Sequence, residues 1–206
     1  DLDSPRLKKS LPRYLSLDES IQLLEAVDEP NQARDYCILT LFLNCGLRIS
    51  ELVSLNITDV REEQLRVLGK GNKERMIFLN EACRAALDDW LEERSRQAAA
   101  DPNALFLTRT HTRMTKDAVH YMVKQRLKKA GLDASLYSSH KLRHTAATLM
   151  LQNGVDVRTL QEVLGHENLN TTQIYTHVDN ENLRSAAKAN PLGRMKKKST
   201  PIPPGK

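Results

Sequence analysis

Residues 139–165 read SHKLRHTAATLMLQNGVDVRTLQEVLG. The stretch predicts two consecutive helices. Ser139 can cap the first, which Gly154 ends; Asp156 can cap the second, which Gly165 ends. Within the first, His140, Arg143 and His144 stand at i, i+3 and i+4 on one helix face. Two histidines four apart also occur on zinc-binding helices. Here the residues between them are Lys-Leu-Arg, so the glutamate of that motif is missing and neighbouring cations oppose a metal ion. No metal and no cofactor is expected.

Working outward, the rest of the chain also reads as helices with legible ends. Ser16 and Glu19 have the spacing of a capping box that opens a helix running to about Val27. Residues 31–45 predict a helix with Cys37, Ile38, Leu41, Phe42 and Cys45 on one face, ended by Gly46 in the left-handed conformation. A short helix should start near Ile49, directly after Arg48. QLRVL at 64–68 and ERMIFL at 74–79 predict two strands, turned by GKGN at 69–72. A long helix follows over about 81–98, then a third short strand in LFLT at 105–108. Thr115 can cap a basic amphipathic helix ending at Gly131. Asn170 can cap a helix over TTQIYTHV, and residues 181–189 favour helix up to Pro191. The expected fold is α+β, mainly α-helical, with a small antiparallel sheet. Residues 16–190 form the domain, 1–15 a linker or arm, and 191–206 a basic disordered tail.

The apolar content, 40%, is enough for an ordinary core, while aromatics at 4% argue against a base-stacking surface for single strands. No apolar run is long enough to span a membrane. Three cysteines without CxxC spacing read as buried thiols in a reducing compartment, so a cytoplasmic location is expected. Residues 111–150 carry eight Lys or Arg against only Asp117 and Asp133, a larger local excess than the +5 of the whole chain. A second basic cluster, Arg194 with Lys196, Lys197 and Lys198, lies near the end. Charge concentrated in this way favours a polyanion, although a solvated helix face and a soluble tail would have the same composition.

Six residues point to a specific chemistry: Arg48 in GLRISE, Lys70 in GKGNKER, His140 and Arg143 in HKLRH, His166 in LGH and Tyr175 in QIYTH. Five can offer protons or positive charge to a phosphate, and the sixth is a phenol that can attack one. Each alone has an ordinary explanation. Arg48 can simply pair with Glu51, Lys70 can be a solubilising charge at a hairpin tip, His166 can cap a helix, and Tyr175 can be core. Together they suit transfer at a phosphodiester, with side chains supplying the charge.

GLRISEL, GKGNKER, HKLRHTAATLML and LGHENLNTTQIYTH occur in the order found in tyrosine recombinases of the phage-integrase and Xer group, and the chain resembles their catalytic domain from about Leu15 to Asn190. The resemblance implies that Tyr175 is the nucleophile and that Arg48, Arg143 and His166 hold the scissile phosphate. Lys70 would protonate the leaving 5′ oxygen, His140 would assist proton transfer, and Glu51 would act from behind Arg48. Lys73, Arg75, Lys116, Lys124, Arg126 and Lys141 are expected to face double-stranded DNA. Family members normally carry a further N-terminal helical domain, so the chain is expected to be a catalytic-domain fragment with residues 1–15 as the interdomain linker. Such a fragment should be monomeric without DNA, whereas the full-length parent should form a homotetramer on paired sites. Residues 181–192 either dock on a neighbouring subunit or pack on their own domain. The competing readings are a type IB topoisomerase-like enzyme, a non-catalytic DNA-binding regulator and, third, a metalloprotease.

Overall fold

The structure is a computed structural model and describes residues 14–165 and 179–197. Eight α-helices and two strands are found among these residues, with short 3-10 turns at Ile57–Asp59 and Lys70–Asn72: α1 (Leu17–Glu25), α2 (Gln32–Cys45), α3 (Ile49–Val53), β1 (Gln64–Leu68), β2 (Glu74–Phe78), α4 (Glu81–Ser95), α5 (Lys116–Lys129), α6 (Ser139–Gln152), α7 (Val157–Leu164) and α8 (Asn180–Ala189). The mainly helical α+β class is as the sequence predicts. No helix among the described residues is long and apolar enough to cross a membrane.

The capping box of α1 forms reciprocally. Glu19 N–H donates to Ser16 Oγ at 3.0 Å, and Ser16 N–H donates to Glu19 Oε1 at 3.1 Å. Thr115 and Asp156 cap α5 and α7 as expected. At α6 the cap is Ser138, one residue earlier than predicted, and Ser139 is the first helical residue, its hydroxyl 3.3 Å from His120 Nδ1.

Helix α2 departs from its predicted single apolar face. Nearly every residue of it is buried, because α1, α4 and α6 all pack against it. Gly46 ends α2 at φ +62°, and a Cβ there would lie 2.4 Å from Leu164 Cδ2. A glycine is therefore needed both for the left-handed turn and for the close approach of α7. This crossing point delivers Arg48 to the surface.

The two strands pair antiparallel with Val67 opposite Arg75 and Leu68 opposite Glu74. Gly71 and Asn72 take positive φ in the turn between them, as the GKGN reading requires. The expected third strand does not form. Leu105, Phe106 and Leu107 are buried in a loop whose backbone partners are scattered: Leu105 N–H bonds Leu55 O at 2.9 Å, and Met114 N–H bonds Phe106 O at 3.0 Å. With no continuous edge to pair against, an apolar run fills the core without becoming a strand.

Both expected domain edges move outward. Leu15 is fully buried, and its N–H donates to Thr145 Oγ1 at 2.9 Å, so it belongs to the domain and not to a linker. After α8, Leu192 is buried, Gly193 O accepts from Ala82 N–H at 2.8 Å, and Lys197 pairs with Asp89 at 2.6 Å. This part of the predicted tail is packed. Helix α8 lies on its own domain, with Ala186 buried and Asn80 Nδ2 donating to Ala187 O at 2.9 Å. Residues 1–13, the predicted 170–178 helix and residues 198–206 lie outside the described residues.

Candidate active site

Arg48 leaves the α2–α7 crossing in extended conformation as the N-cap of α3. Its N–H donates to Glu51 Oε1 at 2.8 Å, and its guanidinium lies 3.7 Å from Glu51 Oε2 while staying 40% exposed. Glu51 is almost wholly buried. Burial alone pushes its carboxyl up, but the guanidinium of Arg75 and then the N–H and charge of Arg48 outweigh this and leave it below its ordinary value.

Arg75, expected to face DNA, is instead turned inward, with 14% of its side chain exposed. Its two terminal nitrogens grip both oxygens of Glu51, and its Nε donates to Val163 O at 3.1 Å. The sheet register explains the correction. Arg75 stands opposite the fully buried Val67 and two residues from the buried Ile77, so it shares their inward face.

Arg143 also points inward, parting from His140 and His144. It lies on the α6 stripe with Leu142, Ala146 and Met150, and it donates to Gly46 O and to Leu164 O, the latter at 3.1 Å. Burial, followed by repulsion from Arg48, pulls its pKa down to about 10, so it still carries its charge at neutral pH. An anion held between Arg48 and Arg143 would relieve that repulsion. Three guanidinium groups against one carboxylate leave the cluster two positive charges in excess.

Lys70 and Lys73 are exposed on the β1–β2 hairpin. The base of the hairpin sits against the cluster. A Cβ on Gly69 would be 3.4 Å from Glu51 Oε2 and 3.7 Å from Arg75 Nη1. His140 and His144 are exposed on α6, ring edge to ring face with centroids 5.0 Å apart. Burial, then the charges of His140, Arg143 and Lys141, lowers the His144 pKa. His166 and Tyr175 lie outside the described residues. Gly165, which ends α7 immediately before His166, is described at φ +67°.

Of the basic residues expected on DNA, Lys116 is exposed in the first turn of α5, and Lys141 is half-buried on α6. Lys124 gives its ammonium to the carbonyls of Ala134 and of Tyr137, the latter at 2.5 Å. Arg126 is corrected outright. It is buried, donating to Asp35 and Asp28 at 2.9 Å each and to Pro30 O at 2.7 Å. Its place on the stripe Val119, Met122, Val123, Leu127 was a sequence signal for burial. A cavity of about 560 Å³ lined by Pro30, Arg34, Met114, Tyr121 and Met122 lies on the flank of α5, and among the described residues Arg48, Lys70, His140 and Arg143 do not line it. The Arg48 cluster lies apart from this cavity, with Arg48 as its exposed member.

The profile of the phage integrase family matches residues 13–182. The chain is 54% identical over 195 residues to the tyrosine recombinase XerC of Caldanaerobacter subterraneus subsp. tengcongensis, covering 94% of this chain and 55% of that protein. The chain thus spans little more than half of that relative. Among solved structures, the XerA recombinase matches with TM-score 0.71 at 35% identity, over 87% of this chain and 65% of that one. The XerH site-specific recombinase, bound to its difH substrate before cleavage, matches with TM-score 0.68 at 31% identity, over 87% of this chain and 55% of that one.

Proposed function

The chain belongs to the phage integrase family, and from that premise we propose that it breaks and rejoins DNA strands as a site-specific recombinase, through a 3′-phosphotyrosyl link to Tyr175. The observation that carries this reading is the surplus of positive charge where Arg48, fixed by Glu51, and Arg143 converge beside the base of the Lys70 hairpin. Charge built up on the nonbridging oxygens in the transition state is met by guanidinium groups already in place. The Tyr175 oxygen bonds to phosphorus as the bond to the 5′ oxygen breaks. Lys70 protonates the departing oxygen, and His140 assists in moving the phenol proton. His166 joins Arg48 and Arg143 on the phosphate. The covalent link conserves the bond energy, so a 5′-hydroxyl from another strand reseals the DNA without ATP or a metal ion.

The partner is double-stranded DNA, a reading supported by the likeness to XerH on its difH substrate. Lys73 and Lys116, which are exposed, and the half-buried Lys141 are its proposed basic contacts, with Lys124 bonded to carbonyls of the turn after α5. Strand exchange between two duplexes requires four active sites, so the working form is a homotetramer on paired sites in the cytoplasm, while this chain alone is monomeric without DNA. The test is covalent trapping from a randomised library of nicked duplexes, read on denaturing gels. The wild-type chain should select duplexes that it captures covalently, and Tyr175→Phe should bind them without adduct. Adducts that survive the substitution, or none with the wild type, would end the reading.

A further inference from the structure

Arg75 makes contacts that neither phosphate binding nor simple packing requires. Its guanidinium spans both oxygens of Glu51, whose Oε1 also takes the Arg48 N–H. Its Nε reaches the carbonyl of Val163, in the last turn of α7, where carbonyls lack helical partners and the helix end is negative. Its Cδ and Nη1 lie so close to Gly165 that a Cβ there would meet each at 3.0 Å. Arg75 itself belongs to β2, one arm of the hairpin that carries Lys70. One side chain therefore ties the Lys70 hairpin, the Arg48–Glu51 turn and the point where the chain departs toward His166. Arg143 bonds the adjacent carbonyl, Leu164 O, which makes the α7 terminus a doubly held anchor.

We infer that Arg75 is a positioning residue: it touches no phosphate, sets Arg48 through Glu51, sets the C-terminal end of α7 through Val163, and so makes the hairpin, the Arg48 turn and the α7 terminus move as one. The inference rests on the recombinase reading for its consequence in catalysis, but not for its geometry. Arg75→Met removes all three bonds while keeping an apolar stem. Arg75→Lys keeps the charge but not the planar fork.

The test uses the full chain and a duplex recovered by trapping. Arg75→Met should bind that duplex with unchanged affinity and salt dependence, yet cleave it in single turnover about 10²-fold more slowly, the scale expected for misplaced catalytic groups. Arg75→Lys should recover part of the rate. In an Arg48→Lys background the Arg75→Met defect should shrink, because both act through one group. A fall in affinity with a shallower salt slope would make Arg75 a phosphate contact and overturn the inference, as would unchanged cleavage or defects that multiply in full. Should Arg75→Met fold poorly, Gly165→Asn keeps every charge and tolerates positive φ, but its Cβ forces the Arg75 guanidinium to give by a few tenths of an ångström. It should show a smaller loss, again confined to cleavage, and normal cleavage would overturn the inference. Hydrogen exchange needs no DNA. Arg75→Met, or Gly165→Asn in its place, should speed exchange at the Arg48 N–H and at the last turn of α7 together, and a change at only one or neither would also overturn it. A wild type that traps no duplex would defeat the recombinase reading alone, leaving the exchange result to decide this one.

Discussion

Two buried arginine clusters in this chain use the same residue types for different ends. Around Asp35, Arg34 and Arg126 are both buried, Asp28 takes a second bond from Arg126, and Lys129 closes the chain of ion pairs. Arg34 and Arg126 spend further donors on Leu107 O and Pro30 O, joining α2, α5 and their loops. Charges there nearly balance. Around Glu51, Arg48 and Arg75 pair with one carboxylate and Arg143 adds a third guanidinium; Arg48 remains 40% exposed, and burial, then the charge of Arg48, lowers the Arg143 pKa. A site is marked here by imbalance with one open end, and not by the presence of arginine.

The comparison can be broken by swapping the expected losses. Arg126→Met should cost about 3 kcal/mol or more of stability, since it leaves Asp35 buried with one partner fewer. Cleavage per folded molecule should be unchanged. Denaturant unfolding beside single-turnover assays checks this, and a stable but inactive variant would make the two clusters functionally alike. Arg48→Lys should do the opposite, slowing cleavage about 10²–10³-fold with little change in the unfolding midpoint.

Acid sharpens the contrast further. Glu51 is held below its ordinary value, so its ionised form contributes stability above the usual carboxylate range, and that contribution is lost as pH falls through the lowered value. Its neighbours from each packed element are Arg48, Arg75 and Arg143. Unfolding midpoints measured down the acid range should therefore fall less steeply in Glu51→Gln than in the wild type. Parallel curves would mean that Glu51 is not the coupled group. The smallest effect is expected at Lys116, exposed at the start of α5. Lys116→Ala should weaken DNA binding and lower the salt slope by about one.

Much of the fold was legible because caps and turns are local chemistry. Ser16 with Glu19, Thr115, Asp156, Gly46 and Gly165 all sit where their conformations require. What the local reading missed depends on partners far away in sequence. Arg126 reaches Asp35 across 91 residues, and Arg75 reaches Val163 across 88. Periodicity placed both side chains inward, against Leu127 in one case and Ile77 in the other, but basic composition was read as surface. The 105–108 segment failed for a related reason: apolar content foretells burial, whereas a strand also needs an edge to pair with. Of the site, Arg48, Glu51, Lys70 and Arg143 could be placed from motif order, while the inward turn of Arg143 and the grip of Arg75 needed the packed helices.

The account stands on the claim that the unbalanced cluster holds a phosphodiester for attack by Tyr175. Its most direct test is mass-spectrometric mapping of the covalent adduct after nuclease and protease digestion. The account predicts a nucleotide remnant attached through its 3′ phosphate to Tyr175, with a 5′-hydroxyl on the released strand. A remnant on any other side chain, or a 3′-hydroxyl on the released strand, would contradict it.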